Sequence, residues 1–171
     1  MTRIPTHALT LARPAIQVVT VLNLLYGCAI LAFFIASFVI ADWPVKPLGY
    51  DPATMHAYLP LGLRSVELLG LVVVGLVHLI LRRLLAIVDS VRDGDPFVVD
   101  NARRLQTIAW CLLGIELLRL AVAAIGAAVA IQKVGDSGFS VVPWLAILLL
   151  FVLAGVFMRG ARMRDDLEGT V

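Results

Sequence analysis

Apolar positions along this chain gather into four long runs, and the gaps between them are short and rich in proline, glycine or arginine. From Ile16 to Ile40 there are 25 residues without a charge, and a helix needs about 20 residues to cross the ~30 Å hydrocarbon core of a bilayer. Leu59 to Leu81 forms a second run, interrupted by Arg64, Glu67 and His78. Leu105 to Ile131 forms a third, carrying Glu116 and Arg119, and Phe139 to Met158 is a charge-free fourth. Backbone polar groups in lipid must be satisfied within the segment, so runs of this length predict helices, and they lack the alternation of barrel strands. The expected fold is all-α: one polytopic membrane domain over 1–171, a four-transmembrane-helix bundle with spans at about 16–40, 59–81, 105–131 and 139–158.

Between the second and third spans, Leu84, Leu85, Val88 and Val91 keep helical spacing beyond the membrane edge. Helix two is therefore expected to project until Gly94 stops it, with Asp95 or Asp100 as the cap of the next helix. This gives a helical hairpin over 82–104, and a tail follows over 159–171. The loop 41–58 holds Pro44, Pro47, Gly49 and Pro52 and is too short for a domain of its own. The loop 132–138 reads as a tight turn.

Composition agrees: 61% of residues are hydrophobic and 15% charged, far from the balance of a water-soluble domain. Ten Lys and Arg fall in the amino-terminal segment, the 82–104 hairpin and the tail, against Lys46 and Lys133 in the other two loops. The positive-inside rule then puts both termini and the hairpin in the cytoplasm, N-in/C-in. Trp43, Tyr58 and Trp144 fall at the expected outer interface. No basic tract points to direct nucleic-acid binding. Cys28 and Cys111 lie in different apolar runs and read as buried hydrophobes. Leu25-Tyr26-Gly27-Cys28 approaches a lipoprotein cleavage box, but Tyr26 stands where a small residue is needed and the apolar run continues, so an uncleaved anchor is expected.

The charges within spans two and three are the sharpest chemical feature, because an ionisable group at the middle of a lipid-embedded helix costs at least ~2.5–3.5 kcal/mol. Arg64 and Glu67 share one helix face, as do Glu116 and Arg119. At 1.5 Å per residue, Glu67 lies roughly 9 Å and Arg119 roughly 13 Å below the outer edge. This predicts a buried ion network centred on Glu67 and Arg119 that joins helices two and three, with Arg64 and Glu116 in reach. Such a network can fix helix pairing, hold a polar ligand or ion, or support catalysis. His78 is ~16 Å further along the same face and out of contact. Gln17, Thr20, Asn23 and Tyr26 form a polar stripe on span one suited to interhelical hydrogen bonds, and Ala123, Gly126, Ala127 and Ala130 allow close approach on span three, within the unit or in a homo-oligomer.

The chain carries no G-x-S-x-G, HExxH, CxxC or phosphate-cradling glycine loop. No catalytic residue, metal site or cofactor is expected, and the lipid bilayer is an expected partner.

The stretch Gly94-Asp95-Pro96-Phe97, followed by Asn101-Ala102-Arg103-Arg104-Leu105, resembles the DUF2975 family, small four-helix proteins of the bacterial inner membrane. The carboxyl end, Phe157-Met158-Arg159-Gly160-Ala161 running into Asp165-Asp166-Leu167-Glu168-Gly169-Thr170-Val171, is similar to that family's tail, with Glu168-Gly169 as a departure. The resemblance implies a non-enzymatic role in binding a cytosolic partner, a small helix-turn-helix transcription factor, with Asp95, Pro96, Phe97, Asn101 and Arg104 as the candidate partner surface. The rival expectation is a small transporter or ligand-binding membrane component that uses the charges of helices two and three.

Overall fold

The computed structural model describes residues 6–40, 59–94, 97–128 and 140–168. Expectations for the two loops at 41–58 and 132–138, for Asp95 and Pro96, and for the last three residues lie outside these. Four helices account for nearly all that is described: α1 (Thr6–Val39), α2 (Leu59–Arg92), α3 (Val99–Ala128) and α4 (Val141–Glu168). Each contains a stretch long and apolar enough to cross a membrane: Leu11–Val39, Pro60–Arg92, Val99–Ala127 and Val141–Arg164.

All four helices outrun the bilayer core. The 34 residues of α2 make a rod of about 51 Å, against ~30 Å of hydrocarbon. Helix α1 starts ten residues before the expected span, with Pro14 inside it, and α4 carries on through most of the tail.

Successive helices are antiparallel. Gly27 meets Val74 and Gly70 meets Ile30 between α1 and α2, Gly114 meets Leu76 between α3 and α2, and Trp110 stacks edge-on against Phe151 between α3 and α4. The start of α1, the α2–α3 connection and the end of α4 therefore share one end of the molecule, which holds Arg13, Arg82, Arg83, Arg92, Arg103, Arg104, Arg159, Arg162 and Arg164.

Four helices were expected, and four are present among the described residues; their packing is not a closed bundle. Among the described residues α1 packs on α2, α2 on α3 and α3 on α4, and no backbone approach joins helices that are not neighbours in sequence. The helices form an open row.

The distribution of residue sizes is that of a lipid-solvated protein. The best-buried apolar residues include Ala102, Ala109, Ala154 and Ala161, whereas Leu22, Leu25, Leu149 and Val152 are all at least 58% exposed. Hydrocarbon solvates Leu and Val as well as a protein interior does, so small residues that bring backbones together take the interfaces. The same surface in water would be one continuous aggregation-prone patch.

The α2–α3 connection turns where expected. The Asp93 N–H donates to the Asp89 carbonyl (3.0 Å) and the Gly94 N–H to the Val91 carbonyl (3.3 Å), and Gly94 has φ of 93°. That left-handed conformation carries no Cβ penalty in glycine. Helix α3 then opens at Val99, so Asp100 sits inside the first turn instead of at the cap, its charge beside the unbonded N–H groups there.

Candidate functional site

Two polar clusters stand out. The first is at the end of the row away from the arginines, and it differs from the expected network. Arg119 pairs within its own helix: Nε donates to Glu116 Oε2 at 3.0 Å and Nη2 to Oε1 at 2.6 Å. Glu116 is 4% exposed. The guanidinium fork matches a carboxylate one turn away, making a locally neutral unit that needs no second helix.

Arg64 turns to α1. Its Nη2 donates to the Ser37 carbonyl and its guanidinium lies 4.4 Å from the centre of the Phe38 ring. Ser37 is in the last turn of α1, where carbonyls have no intrahelical donor, so Arg64 serves as a C-terminal cap supplied by the neighbouring helix. Glu67 makes no ion pair to Arg119 in this arrangement. Its Oε2 is buried without a hydrogen bond among the described residues, as is His78 Nδ1. The four charges thus lie in one region but form two separate units, Arg64 with α1 and Glu116–Arg119 on α3, and the expected Glu67–Arg119 link between α2 and α3 is absent.

A groove of about 430 Å³ opens beside these units. Tyr26 of α1, Leu69, Gly70 and Val73 of α2, and Leu118 and Arg119 of α3 are among the residues that line it. Its lining residues are apolar apart from Tyr26 and Arg119. Of the polar stripe on α1, Asn23 bonds across to α2, its Nδ2 donating to the Val74 carbonyl at 3.1 Å, while Thr20 bonds back to the Ile16 carbonyl at 2.8 Å.

The second cluster is at the arginine-rich end. Asn101 is 1% exposed. Its Nδ2 donates to Ser90 Oγ at 2.5 Å, its Oδ1 accepts from Arg104 Nη1 at 2.8 Å, and Arg104 Nη1 also donates to the Ala86 carbonyl at 3.1 Å. This clamp ties the first turn of α3 to the last two turns of α2. Asn101 is therefore not available as partner surface, contrary to expectation, and Arg104 is half-buried with its Nη1 engaged twice. Phe97 remains 51% exposed, yet one face of its ring stacks on Phe157 of α4 (centroids 5.3 Å apart, planes at 26°), and it also packs beside Gly160. Phe97 and the 157–160 turn of α4, far apart in the chain, thus pack against each other.

Further out, Arg13 of α1 approaches Asp89 of α2 at 3.6 Å, with both side chains well exposed. Such a pair adds little stability. Among the described residues no three His, Cys, Asp or Glu side chains gather as a metal site.

Ser90 and Ser37 escaped the sequence reading. Ser90 could have been found, since it lies eleven residues before Asn101 on the other arm of a short hairpin; Ser37 contributes only its backbone, which leaves no signal in residue type. No protein-family model, curated protein or solved structure matches this chain.

Proposed function

We propose that this chain is a non-enzymatic membrane scaffold of the bacterial inner membrane, with both termini and the 82–104 hairpin in the cytoplasm, that holds a soluble partner at its arginine-rich end. A small helix-turn-helix regulator is the partner class that the DUF2975 resemblance implies. The observation that carries the reading is the rigid joining of three projecting helix ends. The Asn101–Ser90–Arg104 clamp holds α3 to α2, and the Phe97–Phe157 stack holds the connection to α4. Helices that merely cross a bilayer have no need of such a lock beyond it, whereas a docking surface gains affinity from being organised before its partner arrives. Phe97 and Met163 are exposed on it at 51% and 62%.

A photocrosslinking amino acid at Phe97 or Met163 in living cells tests this. A crosslink to a soluble DNA-binding protein, whose target genes change when this chain is deleted, is expected; crosslinks confined to lipid and to other copies of the chain overturn it. Orientation is tested separately: a green fluorescent protein fused after Val171 should fluoresce, and a periplasm-dependent phosphatase fused there should be inactive.

The groove supports a second reading, a small transporter or ligand-binding component. Arg119 and Tyr26 in its lining supply the polar groups such a role needs.

A further inference from the structure

A smaller cavity of about 250 Å³ lies between α3 and α4, lined by Ala102, Gln106, Phe151, Ala154, Gly155 and Met158. Ala102 and Ala154 are buried in its floor, and open space stands where a Gly155 side chain would be. Trp110, one turn beyond Gln106 and 58% exposed, meets Phe151 edge-on at its deep end, with centroids 5.2 Å apart.

Three arginines lie about one turn from this cavity's lining residues, toward the arginine-rich end of the helices. Arg162 follows Met158 by four residues, Arg159 follows Gly155 by four, and Arg103 precedes Gln106 by three, so each shares a helix face with a lining residue. All three are exposed. Arg103 has only a loose 3.6 Å contact with Asp100, both side chains at least 65% exposed, and neither Arg159 nor Arg162 makes a salt bridge among the described residues.

We propose that this cavity seats an acyl chain of an anionic phospholipid whose phosphate is held by Arg103, Arg159 and Arg162. The inference does not depend on the proposed partner. An apolar slot that opens onto guanidinium groups at the end of a span matches one amphiphile in both its parts: hydrocarbon below, phosphate at the edge. Planar guanidinium forks suit phosphate oxygens, and three arginines against Asp100 beside Arg103 and Asp166 one turn beyond Arg162 leave this end net positive, which favours a headgroup with net negative charge over a zwitterionic one. Trp110 lies seven residues inward from Arg103, roughly 10 Å, level with the middle of a bound chain.

Trp110 supplies the readout. In a Trp43→Phe/Trp144→Phe protein it is the sole tryptophan, since the chain has three. Reconstituted into phosphatidylcholine bilayers, this protein is titrated with chain-brominated phosphatidylglycerol or chain-brominated phosphatidylcholine, and Trp110 quenching is recorded. The expected result is a preference for phosphatidylglycerol of about fivefold for each arginine engaged, which falls to about fivefold in Arg159→Gln/Arg162→Gln and to near unity when Arg103→Gln is added. Equal quenching by both lipids in the parent protein overturns the proposal. Gly155→Leu fills the slot and leaves the arginines in place; with helicity retained by circular dichroism, it should abolish the preference. A preference that survives Gly155→Leu means the arginines only gather anionic lipid around the protein, and overturns the seat. Relief of quenching by inorganic phosphate means the mouth binds a free anion, and overturns the lipid assignment.

Discussion

Replacing Gly27 with alanine would place a methyl carbon 2.7 Å from Val74 Cγ1, while Val74 Cβ and Cγ2 would stand at ordinary contact distances of 3.7 and 3.8 Å. Carbon atoms pack best at about 3.5–4.0 Å, so one atom is about 1 Å too close and the rest of the interface is not. Val74 cannot easily rotate away, because a β-branched side chain in a helix has one strongly preferred rotamer. The alternative is for α1 to move off α2, which stretches the 3.1 Å bond from Asn23 to the Val74 carbonyl beside it. Overpacking of this kind costs about 1–3 kcal/mol, and an interhelical hydrogen bond in a membrane protein is worth about 0.6 kcal/mol, at most ~1.7. Gly27→Ala should therefore destabilise the protein by about 2–3 kcal/mol. Val74→Ala removes the offending Cγ1, so the double variant should recover most of the loss. The coupling in the double-mutant cycle should be about 2 kcal/mol, well above the ~0.5 kcal/mol within which independent sites add. Steric-trap or denaturant unfolding in lipid bicelles measures all four proteins. Additive single effects, or a Gly27→Ala protein as stable as the parent, would refute the reasoning.

Other expectations concern the two polar clusters. Glu116→Gln leaves the Arg119 guanidinium without its counter-charge and should lower resistance to unfolding markedly, Glu116→Gln/Arg119→Gln should regain part of it, and Glu67→Gln should be near neutral; rescue of Arg119→Gln by Glu67→Gln instead would restore the cross-helix pairing. Asn101→Ala removes the bonds to Ser90 Oγ and from Arg104 Nη1 and should cost about 1–3 kcal/mol, seen as faster amide hydrogen exchange at the start of α3. Phe97→Ala removes a stacked pair worth about 0.5–1.5 kcal/mol, and should raise protease cleavage between α2 and α3 while leaving the exchange of the four apolar spans unchanged.

That the chain holds four helices long and apolar enough to cross a membrane was legible because lipid imposes a length and a composition that few other environments do. The runs at 16–40 and 139–158 could be read by counting. The stop at Gly94 was legible for a comparably local reason, a glycine at the end of an amphipathic run. Helix ends beyond the lipid were not: α4 continues to Glu168 through residues whose charge says only that they leave the hydrocarbon.

Pairing among charges was decided by tertiary structure. Arg64–Glu67 and Glu116–Arg119 have the same spacing in sequence, yet only the second forms an ion pair. What separates them is the open end of α1 at Ser37, whose carbonyl takes a hydrogen bond from Arg64, and no residue type announces where a neighbouring helix will end. The same holds for Asn101, which looks like surface in a polar stretch and is buried because Ser90 and Arg104 close over it. The open row follows from a related cause: when every helix face is apolar and lipid solvates them all, hydrophobicity alone cannot choose which faces meet, and close contacts such as Gly27 on Val74 make the choice.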